Sequence, residues 1–348
     1  MRYDVSIDRV RWFLVLIMIY CHMLQFFGNP DKYPSINTLI DVVNVIVFPT
    51  FVFCFGCTSA LAYLRKPFRQ AAPRLARTTL LIYAAFVLSG IGYHVAREGT
   101  PLNAKMVTQV ILLQDIPGWS EFLAGFAVIA LVVLVLFKPL QWLSTRLAPT
   151  LIVSAVTLAM CFFPYHVVKS PQLGLFIGTL AFACFPAVQY GAYLLLGIYW
   201  QTNRRHGWVL AGIGLAATLA GVVDVVLNGL PQRFPPSIFW VLLTGFAPVA
   251  LSFVTAKVPA QLPLVLRHID LWARNVGRRS LFFLLASNLT IFTIAGIQAA
   301  PMVTRNAGPL WRLPIASPAG ALVWEVFLIA AISIVASLAG RNTHPTAD

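Results

Sequence analysis

The stretch IDRVRWFLVLIMIYCH, residues 7–22, decides how the chain is read: Asp8 and Arg11 stand at its mouth, an apolar run follows, and His22 lies well inside that run. On an α-helix each residue turns about 100° and rises about 1.5 Å, so Arg11 and His22 return to within about 20° of one face, about 16 Å apart. Asp8, three residues before Arg11, shares that face. An ionisable side chain inside a membrane segment is costly, and such residues generally line a water-filled cavity, a partner contact or a reaction site. That makes His22 the first functional candidate. The plain structural alternative is a histidine hydrogen-bonded to a neighbouring helix, with Arg11 as an ordinary membrane-flanking charge.

Composition carries the membrane reading to the whole chain. Of 348 residues, 59% are hydrophobic and 10% charged, and the mean hydropathy is +0.81. These values exclude a soluble globular protein and imply a polytopic membrane helix bundle, all-α. The formal net charge of +14 does not point to nucleic acid, because there is neither a basic, aromatic-interleaved domain nor a long basic tail. Cys21, Cys54, Cys57, Cys161 and Cys184 fall within or at the ends of apolar runs, where they pack as small polarizable side chains rather than forming a disulfide framework. The first segment lacks a small-residue cleavage site and has Asp4 and Asp8 in its leader, so it reads as a retained helix and not a signal peptide.

Taking about 20 residues per crossing, the apolar runs fall near 10–28, 39–64, 78–96, 119–137, 148–166, 173–200, 207–228, 237–256, 280–298 and 321–339. The run Met106 to Leu113 is too short to cross and reads as re-entrant or interfacial. With these about ten spans, eighteen of the 25 lysines and arginines fall on one side and seven on the other. The positive-inside rule then puts both termini in the cytoplasm. Pro30, Pro34, Pro231, Pro235, Pro236, Pro301, Pro309, Pro314 and Pro318 mark turns on the opposite side. No internal repeat, low-complexity linker or separate soluble domain breaks the chain, so residues 1–348 read as a single integral-membrane domain.

Two further constellations could carry chemistry. In the basic loop RKPFRQAAPRLAR, residues 65–77, Arg74 and Arg77 are three apart and share a helical face. They serve either as topological charges or as guanidinium forks for phosphates arriving from the cytoplasm. The segment WARNVGRRSLFFLLASN, residues 272–288, brings Arg278, Arg279 and Ser280 to a helix start, whose free amides favour anions. Inside the following span, Ser287 and Asn288 form a polar pair read as interhelical hydrogen bonding or as a substrate contact.

Weaker signals are the C-x-x-C of Cys54 and Cys57, which is read as packing, and the acids Asp41, Glu121, Asp224 and Glu325 near or inside spans. Each acid could help hold a polar acceptor or lie at the interface. His94 and His166 read as interfacial. No nucleotide loop, dinucleotide fingerprint, zinc-protease helix or nucleophile elbow is present.

Taken together, these islands resemble the transmembrane acyltransferases of the acyltransferase-3 family and their heparan-alpha-glucosaminide N-acetyltransferase-like relatives. Asp8, Arg11 and His22 are similar to that family's first-helix arginine-to-histidine motif, and FPTFVFCFGCTSALAYLRK from Phe48 is similar to its second helix. Arg74-Leu75-Ala76-Arg77 resembles its inner-loop Arg-x-x-Arg, and GRRSLFFLLASN its late glycine, arginine, serine and leucine motif. The late motif departs by having Ser287 and Asn288 where many relatives continue to a histidine, and DIPGWSEFL matches the aromatic-rich motif only approximately.

The resemblance implies a ten-helix enzyme, with no tightly bound cofactor, in a bacterial inner membrane. It would move an acyl group, acetyl by expectation, from cytoplasmic acyl-CoA to a carbohydrate or lipid-linked acceptor on the outer side. His22, with Asp8, would be catalytic, as general base or transient acyl carrier. Arg11, Arg74, Arg77, Arg278, Arg279 and Ser280 would hold the donor, and Asp41, Ser287 and Asn288 would contact the acceptor. Two readings from other classes stay open: a transporter or flippase for a small anion or lipid-linked sugar, and a structural assembly subunit whose polar residues join helices.

Overall fold

The computed structural model describes residues 4–259, 261–299 and 317–341. Among them the secondary structure is entirely helical. Helix α1, Val5–Phe27, starts at Asp4, whose side chain accepts from the Ser6 amide, and stops before Gly28. It is followed by α2, Ser35–Ser59, prolonged by a π-helical turn, Ala60–Leu64. Next comes α3, Phe68–Gly92, prolonged by a second such turn, Tyr93–Arg97. The short α4, Ala104–Ile111, is the run expected to be re-entrant or interfacial, and it is capped by Asn103.

The middle of the chain departs from simple crossings. Helix α5, Glu121–Val135, turns by 82° into α6, Phe137–Leu143. Pro139 explains the turn, because its ring would clash with the carbonyl four residues back, at Val135, and it offers no amide to continue the ladder. Helix α7, Leu147–Ala159, runs through one 3₁₀ turn to Phe162 and ends before Pro164. The apolar run 173–200 is split into α8, Pro171–Ile177, a non-helical stretch, and α9, Ala187–Thr202. The break is set by Gly178, at φ +96°, a region open to glycine, and by Pro186 immediately before α9.

The remaining helices are α10, Gly207–Asn228, α11, Ile238–Leu242, α12, Ala247–Ala256, α13, Leu264–Arg278, α14, Ser280–Ala299, and α15, Pro318–Arg341. Seven described helical stretches are long and apolar enough to cross a bilayer, or eight with the bent α5–α6 pair. The expected runs 148–166 and 173–200 fall short of that length as single helices. Pro301, Pro309 and Pro314, with Arg305 and Arg312, lie outside the described residues.

Helix α1 is the axis of the bundle, packed by α2, α12, α13, α14 and α15. Glycines bring two neighbouring pairs to backbone contact. A Cβ on Gly197 of α9 would strike the Phe53 carbonyl of α2, and one on Gly277 of α13 would strike the Asp8 carbonyl of α1. Such small-residue seams suit membrane helices, which gain from close packing rather than from leaving water. Inside, Phe48 stacks on Phe185 at 4.1 Å and meets Phe122 edge-on at 5.1 Å, while Phe122 stacks on Phe126 at 5.0 Å. This aromatic layer joins α2, α5 and the stretch that precedes α9.

Candidate functional site

His22 is buried, 7% exposed, and its Nδ1 lies 3.0 Å from the Asn288 Oδ1 of α14. The amide orientation follows from its other end, where Asn288 Nδ2 donates to the Trp119 carbonyl and to Ser89 Oγ, both at 3.4 Å. A carbonyl can only accept, so Oδ1 faces the imidazole and takes the Nδ1 proton. The tautomer that results leaves Nε2 with its lone pair. Ser120 Oγ donates to Ser89 Oγ at 3.0 Å, which extends the network into the start of α5.

A cavity of about 260 Å³ opens in front of this histidine, with Gln25, Asn44, Trp119, Glu121 and Arg233 among its polar walls. Trp119 has φ +58°, a conformation a bulky side chain adopts only when its surroundings hold it there. What holds it is visible: its indole donates to Gln25 Oε1 at 2.8 Å, and its ring packs on Phe26 at 4.7 Å and Tyr93 at 5.5 Å. Strain of this kind concentrates at functional sites.

The cavity also holds two opposite charges that do not close on each other. Glu121 Oε2 and Arg233 Nε are both buried without a hydrogen-bond partner among the described residues. The Arg233 guanidinium lies over Phe234 at 4.4 Å and Phe185 at 5.4 Å. Burial pushes its pKa below the ordinary guanidinium value, with Glu121 and Asp41 pulling the other way. Buried polar atoms are rarely left unmet, and both of these belong to residues of the cavity wall.

A second cavity, of about 200 Å³, lies toward the N-terminal end of α1 and is walled by Arg11, Thr58, Tyr63, Thr78, Arg278 and Ser280. Arg11 Nη2 donates to Thr58 Oγ1 at 2.6 Å and reaches the Cys54 carbonyl at 3.4 Å. Arg278 Nε donates to Asp8 Oδ2 at 2.9 Å, with Asp8 itself 1% exposed. Phe122 is common to the walls of both cavities.

The expected residues therefore divide. His22 and Asn288 form one network at the first cavity, and Arg11, Arg278 and Ser280 meet at the second. Asp8 is not beside His22: it is held at the other end of α1 by Arg278, which suits a positioning role. Arg74 and Arg77 are exposed and line neither cavity, since α3 turns that face outward. Arg279 is occupied with the Ala336 carbonyl at 2.9 Å, and Ser287 bonds back to the Leu284 carbonyl at 3.0 Å within its own helix. Asp41 is not among the residues of the cavity wall, although its charge is felt at Arg233. His94 is bridged between Glu98 at 2.6 Å and Asp115 at 2.8 Å, tying the end of α3 to the segment that leads to Trp119.

Arg233, Gln25 and Asn44 are polar cavity residues that sequence reasoning did not single out, while Trp119 and Glu121 entered through the approximate motif DIPGWSEFL, and Glu121 also as one of four scattered acids. An arginine flanked by Phe234, Pro235 and Pro236 between two apolar runs was the available signal. Compared with protein-family models, with curated proteins and with solved structures, the chain has no match.

Proposed function

We propose that the chain is a membrane acyltransferase that takes an acyl group from a coenzyme A thioester at the Arg11 end and passes it to a hydroxyl or amine at the His22 end. The observation that carries this reading is the 3.0 Å contact between His22 Nδ1 and Asn288 Oδ1, which orients the imidazole at a cavity that also contains Glu121 and Arg233. A neutral imidazole with one ring nitrogen unprotonated can take a proton from a hydroxyl or amine.

In the proposed reaction, Nε2 accepts the proton of the acceptor's O–H or N–H as the oxygen or nitrogen attacks the thioester carbonyl. The carbon–sulfur bond breaks, and the departing thiolate takes the proton back from the imidazolium. Arg11 and Arg278 sit where guanidinium forks would meet the donor's phosphates. Arg233 and Glu121 offer the acceptor one cation and one carboxylate. In this reading the N-terminal end of α1, beside Arg9 and Arg11, is cytoplasmic.

Calorimetric titration of purified protein with acetyl coenzyme A tests the donor site. Binding by wild type, weakened at least about tenfold in Arg11→Gln by loss of a charge-assisted contact, is expected, with His22→Ala binding as wild type. No binding by wild type would refute the reading. A transporter is the second reading, favoured by two cavities that meet at one residue; substrate flux into proteoliposomes without acyl donor would establish it.

A further inference from the structure

We infer that Phe122 is a one-residue septum between the two cavities, and that it restricts what passes between them to a narrow chain. Read with the acyl-transfer proposal, on which this second step rests, the septum selects donors whose acyl group is short.

Among the described residues, Phe122 alone belongs to both walls. Toward His22 the wall continues as Met18, Cys21, Phe48 and Glu121, and toward Arg11 as Phe51, Phe55, Leu123 and Phe126. The ring is 6% exposed and wedged between Phe48 at 5.1 Å, Phe51 at 5.6 Å and Phe126 at 5.0 Å.

Its place on the chain sets the septum beside the chemistry. Phe122 occupies the first turn of α5, next to Glu121 and three residues after the strained Trp119, so the Trp119 backbone sets where α5 begins and where this ring stands. In this reading a donor that reaches from the Arg11 cavity to the His22 cavity passes Phe122, the residue the two walls share. The acyl group that emerges then shares about 260 Å³ with the acceptor, which leaves little room for a long chain. A purely structural aromatic, by contrast, would fill space without separating anything.

Cys21 reports on the septum, because it lines the His22 cavity and not the other. A membrane-impermeant maleimide is applied to the Arg11 face of sealed vesicles, and the rate at Cys21 is read by peptide mass spectrometry for wild type, Phe122→Ala and Phe122→Trp. Phe122→Ala is expected to label about tenfold faster or more, as a local opening does, and Phe122→Trp no faster than wild type. Equal rates for wild type and Phe122→Ala, or a fast Phe122→Trp, overturn the septum. Cys54 and Cys161, both buried, monitor the fold; if their labelling rises too, Phe122→Leu takes the place of Phe122→Ala in the same comparison.

Thiol release from acetyl and octanoyl coenzyme A tests the selection. Wild type is expected to favour acetyl, and the smaller side chain to raise octanoyl turnover relative to acetyl. An unchanged ratio in an active variant refutes selection by Phe122. Turnover of neither donor by wild type would instead refute acyl transfer, while the Cys21 rates still decide the septum.

Discussion

His22 and Asn288 meet at 3.0 Å, and their chemistry is asymmetric. Asn288 touches no reacting atom in the proposed reaction; it holds the imidazole with Nδ1 protonated, so its role is positioning. Replacing it with leucine is expected to lower transfer by between about 10-fold and 10⁴-fold, the upper end matching the loss when a histidine's orienting partner leaves it in the wrong tautomer. Donor binding should stay intact, and Asn288→Gln should recover less than wild type but more than leucine; kcat against KM separates the two effects. Arg233→Gln is expected to raise KM for the acceptor and leave donor affinity unchanged, read from initial rates with each substrate varied.

His22 was legible in the sequence because an imidazole inside an apolar run is conspicuous by its cost. Arg233 was not, since a charge in a polar loop costs nothing until the chain folds that loop into the bundle. The strain at Trp119 was hidden for a different reason: a positive φ at a tryptophan leaves no mark in composition or periodicity.

At the scale of elements, the seam between α1 and α13 joins the fold to the site. Arg9 Nε and Nη2 donate to Asp270 at 2.6 and 3.1 Å, Arg9 Nη1 donates to the Thr255 carbonyl at 3.0 Å, and Arg274 approaches Asp270 to 3.3 Å. The hydrogen bond from Arg9 holds the Asp270 carboxyl below the usual carboxylate range, against the effect of burial and with help from the charges of Arg9 and Arg274. The folded-state value being depressed, the contribution to stability is complete above the ordinary carboxylate pKa and is lost as pH falls through the lowered one. Asp270→Asn is expected to cost about 2 kcal/mol at neutral pH and to flatten the acid limb of a thermal-denaturation series in detergent.

Gly277 controls the same seam. A side chain there would push α13 off α1 and draw Arg278 away from Asp8. Gly277→Val is expected to destabilise the protein by about 1–3 kcal/mol through overpacking, and to weaken donor binding, measured together by denaturation and titration. Most apolar runs followed from hydropathy, although α1 and α3 begin at Val5 and Phe68, ahead of the expected 10 and 78. The 82° turn at Leu136 and the split of 173–200 did not, although Pro139, Gly178 and Pro186 were their visible causes. Hydropathy counts apolar residues in a window and does not register which backbone bonds a proline interrupts.

At the scale of the whole molecule, composition alone was enough for a helical membrane bundle, because nothing but helices and closed barrels satisfies backbone groups in lipid. The number of crossings was harder to read, since α5, α7 and α9 are apolar yet short. Reporter fusions at the two termini decide the arrangement. The ten-span reading expects both in the cytoplasm, and termini on opposite sides would contradict it.

The central proposal is that two cavities along α1 hold the two ends of one acyl transfer, with His22 as the base between donor and acceptor. Its most direct measurement is the transfer of radiolabelled acetyl from coenzyme A to envelope carbohydrate or lipid by protein in sealed vesicles, with donor supplied only at the Arg11 face. Wild type should label an acceptor at the opposite face, and His22→Ala, folded and still binding donor, should label none. Equal labelling by the two proteins would contradict the proposal.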